Sequence, residues 1–345
     1  MNTDPSIFDA PITPQERTDF RTQFYPAFAP SRAIFTAAVA LLVSVGVLIY
    51  GSVSTSNFNE VLRVFGLLAA IVAFGQLIAR LNDVVQFKVR LNTSIKAYRF
   101  AVSNNLNYEA EIQRPARNGF IFQNPRAQKS TILDLISNTG EYPFEIGSYS
   151  YETSSGKSKI IHKYSFMSIP LDRHLPHMVL DTTADDTKFF GVRQSNLGMS
   201  FTEDQVLRLE GNFNDYFTLY APKEYETDAL YVFTPDLMAR LIDEASSFNA
   251  EIIDNDLYIY SIESMPLDRP ETYQRFLKIF ETVGPKALKQ TRNYRDARSQ
   301  VSGAVDVTGQ RLKKGLSVTT SVVLTVVVIL YLIQIILPVV DSFAK

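Results

Sequence analysis

Residues 61 to 102 read VLRVFGLLAAIVAFGQLIARLNDVVQFKVRLNTSIKAYRFAV, and this stretch decides the architecture. Its first part, Val64 to Ala79, carries no charge and extends to Val61 if Arg63 snorkels at the boundary. After Arg80 the pattern changes. Leu81, Val84, Phe87, Leu91, Ile95, Tyr98 and Val102 recur at spacings of three and four, an apolar helical stripe with Lys88, Arg90, Lys96 and Arg99 beside it. An uncharged run that passes into an amphipathic one predicts a transmembrane helix over 61–79 that continues as a stalk over 80–104.

Two further uncharged runs flank this stretch, Ala33 to Tyr50 and Leu316 to Val340. A span needs roughly 20 apolar residues, so the chain reads as three transmembrane helices, 33–50, 61–79 and 316–340. Between them lie an N-terminal segment 1–32, a short link 51–60, the stalk, a soluble domain 105–270, a basic helical return 271–315 and a tail 341–345. Arg17, Arg21 and Arg32 precede the first run, while Gly51 to Glu60 contains no Lys or Arg. Arg80, Lys88 and Arg90 follow the second run, and Arg311, Lys313 and Lys314 precede the third; these six are read as membrane-surface contacts. The asymmetry places the N-terminus and the large domain on the cytoplasmic side of the cell inner (plasma) membrane. A cleaved signal peptide is the poorer reading, because its n-region would be 32 residues long. Small residues, Ala37, Ala40 and Ser44 on the first run and Gly66, Ala69, Ala70 and Ala73 on the second, predict close packing of the two helices. Gln76 and Gln334 are the strongly polar groups at depth, which argues against an ion pathway through one copy.

The net charge of −2 conceals a strong polarity. Residues 80–130 hold nine Lys/Arg against three Asp/Glu, residues 286–314 hold eight against two, and residues 131–285 hold 12 against 25. Basic ends beside lipid headgroups and an acidic body in solvent account for this pattern. The absence of cysteine excludes disulfides, cysteine zinc sites, iron–sulfur ligation and thiol catalysis.

In the soluble part, Thr13 to Glu16 predicts a capping box with Pro14 at the first helical position, ahead of an aromatic stretch, Phe24 to Pro30, that suits an interfacial anchor. Tyr142 to Tyr151 and Lys159 to Ile169 predict a hairpin through Ser154, Ser155 and Gly156. Tyr216 to Tyr220 and Leu230 to Phe233 predict short strands, and Thr234 with Pro235 opens a helix to about Ser246. Ala250 to Ile253 and Leu257 to Tyr260 predict a second hairpin about Asp254, Asn255 and Asp256. Glu271 to Gln300 predicts a long helix interrupted at Gly284 and Pro285. Its Lys286, Lys289, Arg292, Arg295 and Arg298 spiral around the axis, which speaks against a nucleic-acid groove. Local hairpins imply an α+β domain with an antiparallel sheet.

Searches for chemistry end without a catalytic set. His174 and His177 are three apart with Pro176 between them, so no metal site is read there. Asp181, Asp185 and Asp186 form the best polar cluster, since carboxylate oxygens suit a hard divalent ion, but the spacing lacks an EF-hand's glycine and terminal glutamate and reads as a solvated loop. Ser154 to Lys157 spells S-x-x-K without companion motifs. Phosphate loops are absent, and no cofactor is implied. The aromatic group Phe213, Tyr216, Phe217, Tyr220, Tyr225 and Tyr231 reads as core.

Leu209, Glu210, Phe213, Phe217, Leu219 and Tyr220, then Asp228 to Tyr231, then Phe233, Thr234, Pro235, Met238 and Leu241 follow a recurring pattern. In these residues the chain resembles an uncharacterised bacterial membrane-protein family known only as a domain of unknown function. The resemblance implies two N-terminal transmembrane helices followed by a cytoplasmic α+β domain, and it implies no catalytic residues. Ala221 to Glu224 and the third apolar run depart from it. The sequence therefore predicts a non-enzymatic cytoplasmic interaction or sensing module whose partners are the bilayer and a protein at the cytoplasmic face, with the stalk stripe packing either on Glu271 to Gln300 or on its twin in a homodimer. The alternative is a membrane-tethered enzyme or ligand-binding domain for a lipid-derived or small soluble ligand.

Overall fold

The computed structural model describes residues 1–27, 30–53, 58–155, 158–184, 187–189, 192–194, 201–209, 211–261 and 265–315, with Tyr331, Ile333 and Gln334. The third apolar run thus lies almost wholly outside the described residues. The chain divides into two compact units, the first built on Asn2–Ser103 and the second beginning at Asn104.

The first unit is helical: α1 (Pro5–Asp9), α2 (Pro14–Phe24), α3 (Pro30–Val53) and α4 (Phe58–Ser103). The capping box forms as the spacing predicts, with Thr13 Oγ1 accepting from the Glu16 amide at 3.2 Å and Glu16 Oε2 accepting from the Thr13 amide at 3.4 Å. Among the described residues, α3 and α4 are the two helices long and apolar enough to cross a membrane, at mean hydropathies of 2.4 and 2.2 over their apolar windows. Leu42, Val43, Phe65 and Val72 point outward, as side chains facing lipid do. In the apolar parts of this pair, Ala37 and Gly51 of α3 and Gly66 and Ala73 of α4 are buried small residues. A Cβ on Gly66 would sit 2.8 Å from the Leu48 amide nitrogen, so the helices meet where only glycine fits. Ala40 and Ala69, expected at this seam, are exposed, although each stands three residues after a buried member, Ala37 and Gly66. Arg63 donates to the Gly51 carbonyl at 2.6 Å and the Ser52 carbonyl at 3.3 Å, pairing oxygens that the end of α3 leaves open.

The stalk stripe has partners within this unit. Phe8 of α1 stacks on Phe100, Phe20 and Phe24 of α2 meet Tyr98 at 5.6 and 5.4 Å between centroids, and Tyr25 meets Phe87 edge-on. Arg99 donates to both Glu16 oxygens at 2.7 Å and to the Ala10 carbonyl at 2.7 Å. Leu91 and Ile95 are buried as the stripe predicts, whereas Leu81 and Val102 are exposed.

The second unit is α+β. Its strands are β1 (Asn107–Gln113), β2 (Gln128–Asn138), β3 (Phe144–Ser155), β4 (Ser158–Thr182), β5 (Thr187–Phe189), β6 (Val192–Gln194), β7 (Val206–Leu207), β8 (Phe217–Tyr220) and β9 (Asn249–Ser261). Its helices are α5 (Phe213–Tyr216), α6 (Glu226–Val232), α7 (Pro235–Ala245), α8 (Pro270–Thr282), α9 (Gly284–Thr291) and α10 (Val307–Gln310). Seven strands form an antiparallel sheet in the order β1-β2-β3-β4-β8-β7, with β9 also on β4, and β5 pairs with β6 apart from it. The long β4 organises the sheet: β3 pairs with its first half, β8 with its end, and β9 runs along the other edge from Ser165 to Leu180.

Three expectations change here. Leu230 to Phe233 is not a strand; α6 buries Ala229 and Val232, three apart, and exposes Leu230 and Tyr231, with Glu226 and Asp228 in the first turn where a helix favours acids. A four-residue apolar run does not distinguish the two periods. Residues 250–260 form one strand, not a hairpin: Leu175 pairs with Asp254 and Pro170 with Asp256, so four residues of β4 are accommodated opposite Asn255 alone. Asp254 takes φ 55° at this break, and the alternation shifts there, so Glu251 and Ile253 face the same side as Tyr258 and Tyr260. The helix expected to reach Gln300 ends at Thr291, and Arg292, Arg295 and Arg298 lie in the irregular chain beyond it.

The sheet has two covered faces. Met178, Leu180, Ala250, Ile252 and Leu257 pack with Leu237 and Leu241 of α7 and Val283 and Ala287 at α9. On the opposite face Tyr149, Phe166, Val179, Ile253, Tyr258 and Tyr260 pack with the 3-10 turn Phe120–Gln123 and with Leu312.

Candidate functional site

Glu251 is fully buried on β9 and accepts three hydrogen bonds, from His177 Nε2 at 2.8 Å, from the Tyr260 hydroxyl at 2.6 Å and from the Phe120 amide at 2.8 Å. It donates none of them, the pattern of a carboxylate. The Leu312 amide donates to His177 Nδ1 at 3.0 Å, so Nδ1 is the acceptor of that ring and Nε2 carries the proton given to Glu251. Burial, then the Glu251 charge, pushes the Tyr260 hydroxyl well above its ordinary value, so it stays a donor. Gly119 is required beside it: a Cβ there would lie 2.1 Å from the Tyr260 oxygen.

The segment 306–315 crosses above this pair as a strap. Arg311 donates to Asp254 from both terminal nitrogens, at 2.8 and 3.0 Å. Burial opposes ionisation of Asp254, yet the bonds from Arg311 and Asn118 hold its carboxyl below the usual range. Gln205 Oε1 accepts from the Lys313 amide at 2.8 Å and its Nε2 donates to the Lys313 carbonyl at 2.8 Å, while Phe201 bridges to Lys314. At the other end, Asp296 Oδ2 accepts from the Tyr225 hydroxyl and the Asp306 amide, each at 2.8 Å, and Arg298 lies 4.2 Å over the Tyr225 ring. Burial and the Asp296 carboxylate push the Tyr225 hydroxyl up to about 12.

Between strap and sheet lies a cavity of about 310 Å³. Phe120, Phe201, Ile253 and Leu312 give it apolar walls, His177 and Glu251 lie along it, and Asn118, Gln123, Arg311 and Lys314 supply polar groups. Size and lining fall within the range of small-ligand sites. As a catalytic centre the histidine is badly placed, since both ring nitrogens are engaged within the protein.

The residues singled out from sequence are distributed differently. Asp181, expected in a solvated loop, is buried in β4 opposite Thr218, and it does not line the cavity; Asp185 and Asp186 lie outside the described residues. Among the described residues no group of three or more acidic, histidine or cysteine side chains could hold a metal. Arg80 is exposed and 3.6 Å from Asp83, Lys88 is exposed, and Arg90 reaches the Tyr25 hydroxyl at 3.1 Å. Sequence reasoning missed Glu251, Tyr260 and Gly119. The available signal was a carboxylate inside the apolar run Ala250–Ile253.

Protein-family models give no match to this chain, and neither do curated proteins. Among solved structures, the crystal structure of the mycobacterial trehalose monomycolate transport factor A, TtfA, aligns at 11% identity over 60% of this chain and 98% of that one, with a TM-score of 0.37. A score of that size assigns this chain no activity and no ligand.

Proposed function

We propose that this chain is a membrane-anchored, non-enzymatic interaction or sensing module whose α+β unit faces the cytoplasm and binds a protein partner there. The observation that carries the reading is α4, one helix of 46 residues that runs from an apolar membrane-length stretch into the stalk covered by α1 and α2. The Lys/Arg asymmetry supports the orientation, and the resemblance around Leu207 to Tyr260 supports kinship with bacterial proteins of the same arrangement. Cross-linking the full chain in gently solubilised membranes and purifying it tests this reading. The reading expects one partner in constant ratio to the chain; recovery of the chain alone in repeated preparations contradicts it. A second reading, a ligand-binding domain, is favoured by the cavity beneath the strap, with its apolar walls and two cations.

A further inference from the structure

We infer that the cavity between strap and sheet takes the phosphate-bearing head of a membrane lipid, an inference that rests on the ligand-binding reading and on the third apolar run crossing the bilayer. Location is the first argument. Lys314 lines the cavity two residues before Leu316, where 25 uncharged residues begin. At the maximal reach of an extended chain this is about 7 Å, and a headgroup layer is roughly 5 to 8 Å deep on each side of the hydrocarbon. With the third run crossing the bilayer from Leu316, Lys314 at the cavity's edge lies within headgroup depth.

Charge is the second argument. Arg311 is held by Asp254, and Glu251 has three donors of its own, whereas Lys314 is exposed and has no ion-pair partner among the described residues. Lys314 thus brings an ammonium group to the cavity beside the Arg311 guanidinium, a donor that suits a phosphate. The apolar walls are the third argument: Phe201 and Leu312 are 8% and 6% exposed, and together with Phe120 and Ile253 they offer a dry surface to the first carbons below the head. These walls are fixed in place. A Cβ on Gly315 would lie 2.8 Å from the Phe201 carbonyl oxygen, so strap and wall already touch at backbone distance.

The chain contains no tryptophan, so Phe201→Trp introduces a sole indole at the cavity wall. The full-length Phe201→Trp chain, in phosphatidylcholine nanodiscs with rising fractions of phosphatidic acid brominated near its head, should show saturable quenching. Lys314→Glu, at an exposed side chain, should shift the midpoint about tenfold, and an unchanged melting temperature would show that the fold is retained. Equally brominated phosphatidylcholine should quench weakly and without saturation, and inorganic phosphate should not compete. Equal quenching by both lipids, insensitivity to Lys314→Glu, or competition by inorganic phosphate would overturn the lipid-head assignment. Quenching by a brominated fatty acid added from solution, without quenching by the phospholipid, would leave the ligand-binding reading standing and remove this one. If neither ligand quenches, both fall.

Discussion

Replacing Glu251 by glutamine keeps the shape of the side chain and removes its capacity to accept from every side. Three donors converge on it, from His177, Tyr260 and Phe120. If the amide oxygen faces Tyr260 and Phe120, the amide NH2 meets His177 Nε2–H; moving the histidine proton to Nδ1 relieves that contact and sets it against the Leu312 amide, 3.0 Å away. If the amide is turned, its NH2 meets Tyr260 and Phe120. Every arrangement leaves at least one buried donor opposed to another. An unsatisfied buried donor costs roughly 1 to 3 kcal/mol, and the remaining bonds lose their charge assistance, so Glu251→Gln should destabilise the α+β unit by about 3 kcal/mol. For a unit of this size that lowers the melting temperature by about 6 to 12 °C. Near-ultraviolet circular dichroism of the full chain in detergent follows the transition through its 17 tyrosines. A decrease of less than about 2 °C, the scale of an ordinary surface change, would refute the assignment of this glutamate as the shared acceptor of three elements.

Gly119→Ala forces a Cβ to within 2.1 Å of the Tyr260 oxygen, and it should cost about 3 kcal/mol or more, read as a lower melting temperature or loss of folded protein. Asp236→Asn breaks an exposed pair with Lys286 and should leave the same transition unmoved. Arg99 holds Glu16 below the usual carboxylate range, so this pair supports folding fully above that range and loses its contribution as pH falls through the lowered value. The protection factors of the amides of residues 5–24 in hydrogen exchange should therefore be high at neutral pH and fall in acid, and Arg99→Gln should abolish that acid step. The homodimer that the stalk stripe allows is tested at Val85 and Val89, both exposed on α4 in a cysteine-free chain: a dimer expects Val85→Cys or Val89→Cys to cross-link between copies, and failure at both positions would remove it.

Much of the fold was legible because several elements depend on local chemistry. The Thr13 capping box, the antiparallel pairing of β3 with β4 up to Ser155 and Ser158, and the helix opened at Thr234 and Pro235 all appear where the residues predict them. Failures occurred where a distant partner decides. Asp254 to Asp256 has turn chemistry, yet β4 pairs on both sides of it and the strand continues through. The apolar stripe on α4 was visible in its periodicity, but its covering by Phe8, Phe20 and Phe24 depends on a chain return of some 80 residues. His177 was weighed with His174 as a metal pair because the two are adjacent in sequence. Its partners, Glu251 and the Leu312 amide, lie 74 and 135 residues away, and only the sheet register brings them together.

The proposed topology has the acidic α+β unit on the cytoplasmic side, with Gly51 to Glu60 and the last five residues outside. A reporter active only outside the cytoplasm, inserted after Ser155 at the end of β3 or fused after Lys345, tests this directly. The Ser155 insertion should give no signal and the Lys345 fusion should give one. Signal at Ser155 would reverse the orientation and contradict the proposed cytoplasmic partner.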